Sequence, residues 1–290
     1  MTVRRTLPNR ERMTIGAWCF LDHFGPNRIT ETGGMSVAPH PHTGLQTVSW
    51  LFAGEIEHRD SVGSHQLVAP GQLNLMTAGA GIAHSEVSTA QSDWVHGVQL
   101  WVALPDEHRH ASPFFEHVLP PRVRVATDGD DATVTVFVGQ LCGASSPATV
   151  FSPLVGAELL ISAGTQLRLP IDARFEHGLL IDRGTLQVND ELGEKSDLVY
   201  VPPGQTELVL SSADEPVRAI LLGGTPFEEK LVMWWNFIGR THDEIVEFRD
   251  AWQHDVIDGT SEQGRFGHVD FDGSAIPAPE MPKVRLRARG

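Results

Sequence analysis

Ala38-Pro39-His40-Pro41-His42-Thr43-Gly44 and Thr77-Ala78-Gly79-Ala80-Gly81-Ile82-Ala83-His84-Ser85-Glu86 are the two stretches that decide how this chain is read. Each ends in a pair of metal-capable side chains two residues apart, His40 with His42 and His84 with Glu86. In a strand, residues i and i+2 share a face. Two such pairs on neighbouring strands aim three imidazoles and one carboxylate at a single point. That is an N3O metal site with positions left for water, dioxygen or a substrate oxygen.

Working outward, the first stretch feeds Leu45-Gln46-Thr47-Val48-Ser49-Trp50-Leu51-Phe52, a β-branched and aromatic run that reads as a strand. Ala53-Gly54-Glu55 turns it into Ile56-Glu57-His58-Arg59-Asp60-Ser61. Leu73-Asn74-Leu75-Met76 and Val98-Gln99-Leu100-Trp101-Val102 alternate as half-buried strands do. Ala17-Trp18-Cys19-Phe20-Leu21 reads as a buried strand that runs into a turn, Asp22-His23-Phe24-Gly25-Pro26, expected to wall the pocket. A second strand series runs from Val134 to Leu222. Short strands separated by turns, in a chain with 28 glycines and 19 prolines, predict antiparallel barrels or sandwiches. The one convincing helix comes late. Thr241-His242-Asp243-Glu244 is a capping box, and Ile245, Phe248 and Trp252 then fall on one face. From about Gly264 onward Pro and Gly dominate, and a tail is expected.

The chain has 290 residues, enough for two domains, and 41% of them are apolar. Its formal charge of −15 argues against direct nucleic-acid binding and against anionic membranes, the basic stretch Lys283–Arg289 being a local exception. No apolar run approaches the ~20 residues of a membrane span. Cys19 and Cys142 are too few for a disulfide framework, and the N-terminus lacks the apolar core of a secretory signal. Together they predict reduced thiols in a cytoplasmic protein.

The two halves repeat. Gly71–Gly79 aligns with Ser196–Gly204, and the Gly54 turn aligns with Gly184. Counting back from Gly184 as from Gly54 puts Pro170 at the place of His40 and Asp172 at the place of His42. The second half therefore keeps the frame without the ligands. The expected domains are 1–132, which binds metal, and 133–290, which does not and also carries the C-terminal helix and tail.

Five ordered blocks carry a further resemblance: Leu21–Pro26, Pro39–Gly44, Gly54–Ser61, Thr77–Glu86 and Gln99–Val102, with a weaker echo at Trp235–Ile238. Over residues 16–105 the chain resembles the pirin family of bicupins. The resemblance implies an all-β bicupin, two antiparallel β-barrel (jelly-roll or cupin) domains with a few short helices. It implies a metal, usually iron, on His40, His42, His84 and Glu86. It also implies that some bacterial members open the ring of quercetin with dioxygen, while others regulate transcription or metabolic enzymes. Two positions depart from the family pattern, Thr43 in place of the usual Arg and Gln46 in place of the usual Glu. Both lie close in sequence to the ligands, and their loss as an ion pair bears on substrate choice.

Three neutral imidazoles and a carboxylate suit iron(II) first, then nickel, manganese, cobalt or copper; zinc would hold but gives no redox step. A flavonol could bind through its 3-hydroxyl, with Glu86 as the base that takes its proton. Asp22, His23, Phe24 and Gln46 are the expected substrate-binding residues. The alternative is a non-catalytic, iron-binding, redox-responsive regulator that docks on a transcription factor or metabolic enzyme. A third reading, another cupin reaction such as isomerisation or hydrolysis, stays open because one fold hosts many chemistries.

Overall fold

The computed structural model describes residues 1–128, 131–261 and 264–290. These group into two compact units. Unit 1 comprises Met1–Val3, Asp22–His117 and Glu228–Gly290; unit 2 comprises Arg4–Leu21 and Val118–Phe227.

The first ten strands are β1 (Val3–Leu7), β2 (Trp18–Arg28), β3 (Ser36–His42), β4 (Leu45–Ala53), β5 (Ile56–Asp60), β6 (His65–Val68), β7 (Leu73–Thr77), β8 (Ile82–Ser88), β9 (Trp94–Ala103) and β10 (Phe114–Val118). They form a six-stranded sheet in the order β1-β2-β9-β4-β7-β10 and a four-stranded sheet in the order β3-β8-β5-β6. All pairings described within the two sheets are antiparallel.

One local expectation is corrected. Asp22–Pro26 is not a turn but the continuation of β2, which runs on to Arg28. Gly and Pro usually punctuate a strand, but tertiary pairing prevails here. The Gly25 amide donates to the Thr2 carbonyl at 3.1 Å, so β2 stays paired through a glycine whose own φ is +81°.

Unit 2 repeats the plan. Its six-stranded sheet runs Arg122–Val125, Ala132–Val138, Leu154–Ile161, Val217–Gly224, Glu176–Arg183, Leu198–Val201 in spatial order. Its four-stranded sheet runs Gln166–Pro170, Glu207–Ser212, Leu186–Val188, Glu191–Gly193. Alternate residues from both sheets, among them Val134, Leu159, Leu169, Leu179, Leu210 and Leu221, are buried in one apolar core. That is the period-2 pattern of strands with one face turned inward.

The capping box forms as the sequence predicts. Thr241 Oγ1 accepts the Glu244 amide at 3.2 Å, and the Glu244 carboxylate accepts the Thr241 amide at 3.1 Å. The helix His242–Trp252 buries Ile245, Phe248 and Trp252. These pack with Ala83, Phe237, Phe266 and Val269 in one cluster of unit 1. The C-terminal segment lies along β3, the Ile276 amide donating to the Pro39 carbonyl at 2.8 Å. Among the described residues no helix is long and apolar enough to cross a membrane.

Candidate metal centre

Strand register assembles the site. β3 and β8 pair so that His40 faces His84 and His42 faces Ile82, with an irregularity between Val37 and His40. β5 pairs with β8 on the other side, setting His58 opposite Glu86 and Asp60 opposite His84. The two ligand segments are tied at their turns, where the Gly44 amide donates to the Gly79 carbonyl at 2.9 Å.

His40, His42, His84 and Glu86 are all buried. The ring nitrogens of the three histidines include one set that lies within 4.8 Å throughout, and His58, His84 and Glu86 offer a second such set. His84 is common to both. The ring centroids of His40 and His84 are 4.4 Å apart, and each lies 5.0 Å from that of His42. Nε2 of His42 and Nε2 of His84 are 3.1 Å apart.

Proton placement follows from the partners. The carbonyl of Ala38 lies 3.0 Å from His40 Nδ1, and a carbonyl only accepts, so the proton of His40 sits on Nδ1 and Nε2 is bare. His58 Nε2 lies 3.1 Å from the Asp60 carboxylate and donates to it. The bare Nδ1 of His58 then accepts from Nδ1 of His84 at 3.4 Å, which leaves His84 Nε2 bare as well. The Asp60 carboxylate is itself held by the amides of Val62 and Ser64 at 3.0 and 2.9 Å. Phe115 stacks on the His58 ring at 4.5 Å. Burial pushes His42 and His84 well below the ordinary imidazole range, helped by the neighbouring His40, and pushes His40 down too. All three are therefore neutral near pH 7, the form that binds metal.

This donor set fits a divalent ion. Two nitrogens bound at right angles to one ion, each about 2.1 Å from it, stand about 3.0 Å apart, close to the His42–His84 separation. Ser49 on β4 places its hydroxyl 2.8 Å from Glu86 Oε1 and 3.0 Å from the side-chain oxygen of Gln99. Trp101 on β9 meets the His42 ring edge-on at 5.2 Å.

The other expected site residues lie elsewhere in unit 1. His23 on β2 is fully buried with its Nε2 3.3 Å from Nε2 of His96. Phe24 packs with Met35, Leu51, Ile56 and Val95 in an apolar cluster. Asp22 lies on the same strand, half-buried. Gln46 is buried on β4 but donates to Thr77 Oγ1 at 2.9 Å. It stands three positions before Ser49, an odd offset, so it occupies the face of β4 away from Glu86. Thr43 is buried beside the ligands, its hydroxyl without a hydrogen-bond partner. The contacts described for His23, Phe24 and Gln46 are with His96, the apolar cluster and Thr77, and not with the three imidazoles. The structure instead brings in His58 and Asp60, which the sequence reading passed over although their i, i+2 spacing repeats the signal of the ligand pairs.

An all-β chain of two double-sheet units, one of them holding two buried three-residue metal-capable sets that share His84, defines a bicupin. Residues 1–102 match the family described as Pirin, and residues 156–257 match the Pirin C-terminal cupin domain. The chain belongs to the pirin family. It is 43% identical over 283 residues to a Pseudomonas aeruginosa protein provisionally named quercetin 2,3-dioxygenase, a match that covers 97% of this chain and 86% of that one. A crystal structure of a quercetin 2,3-dioxygenase from Acinetobacter baumannii resembles it with a TM-score of 0.89 at 40% identity, covering 99% of this chain and 92% of the other. Human pirin is more distant, 27% identical over 258 residues, covering 86% of this chain and 87% of its own.

Proposed function

We propose that the protein is a metal-dependent dioxygenase that opens the ring of a flavonol such as quercetin with dioxygen, using iron(II) on His40, His42, His84 and Glu86. The observation that carries this reading is the pair of buried sets His40–His42–His84 and His58–His84–Glu86, which share His84, with the imidazoles of His40, His42 and His84 neutral near pH 7. The names of the 40–43% identical relatives support the substrate class.

A divalent ion in this donor set would supply Lewis-acid activation of the substrate 3-hydroxyl. The protein groups do the rest. His40, held by the Ala38 carbonyl, and His84, held through His58 by Asp60, each present a bare Nε2 in a fixed direction. Glu86 accepts the hydroxyl proton. With Ser49 hydrogen-bonded to Oε1, the proton acceptor is Oε2. Trp101 beside His42 and Phe115 over His58 make this end of the site apolar, which keeps bulk water from the activated ring.

The test combines elemental analysis of the purified protein with an oxygen electrode. Iron-loaded protein should consume dioxygen when quercetin or a related flavonol is added, and His42→Ala protein should not. Metal-replete protein that leaves a panel of flavonols unchanged would overturn the proposal.

A further inference from the structure

The internal repeat extends to a second cavity. In unit 2 a cavity of 370 Å³ is lined by Cys142, Val155, Pro170, Asp172, Phe175 and His177, among others. Pro170 and Asp172 are the counterparts of His40 and His42. The same frame places His177 where unit 1 has Thr47, each seven residues before the turn glycine (Gly184 and Gly54). Strand pairing agrees. Thr47 sits opposite Trp101 in unit 1, and His177 sits opposite Gly223 in unit 2. A Cβ at Gly223 would come within 2.6 Å of Cδ2 of His177, so the glycine makes room for the imidazole. The second half has therefore lost the metal ligands and kept an open interior with a histidine built into it.

The chemistry of the cavity is specific. His177 is 1% exposed, yet its Nδ1 has no hydrogen-bond partner. With Nδ1 sealed inside the protein, the other ring nitrogen, Nε2, is the one a ligand can reach. Burial lowers the pKa of His177 to about 4, so the ring is neutral near pH 7 and offers one bare nitrogen rather than a counter-charge. Asp172 is occupied, since Arg174 grips both its oxygens at 3.0 and 2.6 Å, so it neither calls for a cation nor charges the cavity. Cys142, Asp172 and His177 are not among the sets of residues whose ligand atoms converge on a metal-sized point. Phe175, Ile171 and Val155 add apolar walls. The volume falls in the range of roughly 300–1,000 Å³ typical of small-molecule sites.

We propose that this cavity binds a neutral aromatic molecule bearing a hydroxyl group, the ring lying against Phe175, Ile171 and Val155 and the hydroxyl donating to Nε2 of His177, the ring nitrogen that is not sealed. The site is separate from the metal centre and does not depend on turnover there.

The test uses 2-naphthol with full-length protein carrying ¹⁵N-labelled histidine rings. Saturable shifts of the His177 ring nitrogens are expected, in His42→Ala protein as in the wild type. Naphthalene, which lacks the hydroxyl, should bind about threefold to tenfold more weakly, the worth of one hydrogen bond. His177→Phe, which removes this reporter and is followed instead by the fluorescence of 2-naphthol, should weaken binding by the same factor, and Ala144→Trp, which fills the cavity, should abolish it. No saturable shift up to the solubility of 2-naphthol would overturn the proposal. So would binding that survives both substitutions, or binding that His42→Ala removes.

Discussion

The Nε2 atoms of His42 and His84 stand 3.1 Å apart, one from β3 and one from β8, inside a buried pocket. Both rings are held neutral by burial. Two neutral imidazoles at this spacing can both turn a lone pair to one divalent ion. His42→Ala removes one arm and opens a space beside Trp101. Elemental analysis should find about one ion per chain in the wild type and at least tenfold less in the variant. Added iron(II) should raise the melting temperature of wild-type protein and leave that of His42→Ala unmoved. Equal metal content in the two proteins would remove His42 from the ligand set.

Much of this centre is legible in the sequence, and the limit of legibility is physical. His40-x-His42 and His84-x-Glu86 announce themselves because strand alternation is local. So do the capping box at Thr241 and the alternating core of the second half. The role of His58 is not local. It depends on β5 pairing with β8 in the one register that sets His58 beside Glu86 and Asp60 beside His84. The same holds for Gln46, three residues from Ser49 in sequence but on the opposite face of its strand. Asp22–Pro26 misleads for the converse reason, because glycine and proline report local preference while the pairing of Gly25 with the Thr2 carbonyl carries the strand through them. The packing of the helix at His242–Trp252 with Ala83 is likewise invisible to a reading that moves along the chain.

The hydrogen-bond chain from Asp60 through His58 to His84 makes a prediction about proton position. Asp60→Asn preserves shape, and its oxygen would stay on the amides of Val62 and Ser64. Its NH₂ then faces His58 Nε2, which must become the acceptor. The proton of His58 moves to Nδ1, the proton of His84 is driven to Nε2, and the nitrogen meant for metal is blocked. Metal affinity, measured by competition with a chelator, should fall by roughly 10–100-fold with the fold intact by circular dichroism. His58→Phe should cause a loss of similar size. Unchanged affinity in Asp60→Asn would show that the chain does not orient His84.

Gly79 fixes where the second ligand pair begins. Its backbone is left-handed, with φ of 50°, and a Cβ there would sit 1.9 Å from the Ala111 carbonyl oxygen. That contact is with backbone, so it cannot be relieved by a rotamer change. Gly79→Ala should cost roughly 2–4 kcal/mol, combining the conformational penalty with displacement of the segment around Ala111. The Gly44–Gly79 hydrogen bond moves with it, so β3 and β8 should lose register at the ligands and metal affinity should fall together with the denaturant midpoint. A stable protein with unaltered metal binding would contradict this coupling. Gly71→Ala is the control. It also has positive φ but meets nothing within 4 Å, so it should show the conformational penalty alone.

His177 sets an acid limit on stability. Unfolded, its imidazole titrates near 6.5; folded, burial lowers that to about 4. The folded value is the lower one, so the native state resists protonation. Stability from this group is whole above about pH 6.5 and is lost as pH falls toward 4, by at most about 3 kcal/mol. His177→Phe has no proton to refuse. Urea unfolding at pH 7 and at pH 4.5 should show wild type losing about 2–3 kcal/mol more than the variant between the two conditions. A phenyl ring must fit against Gly223, so the comparison is of slopes with pH and not of absolute stabilities. Parallel losses in the two proteins would mean that His177 is hydrated or hydrogen-bonded in solution and titrates as it does in the unfolded chain. A ligand that donates to the His177 ring should steepen the wild-type dependence further, because protonating the ring would then expel it as well.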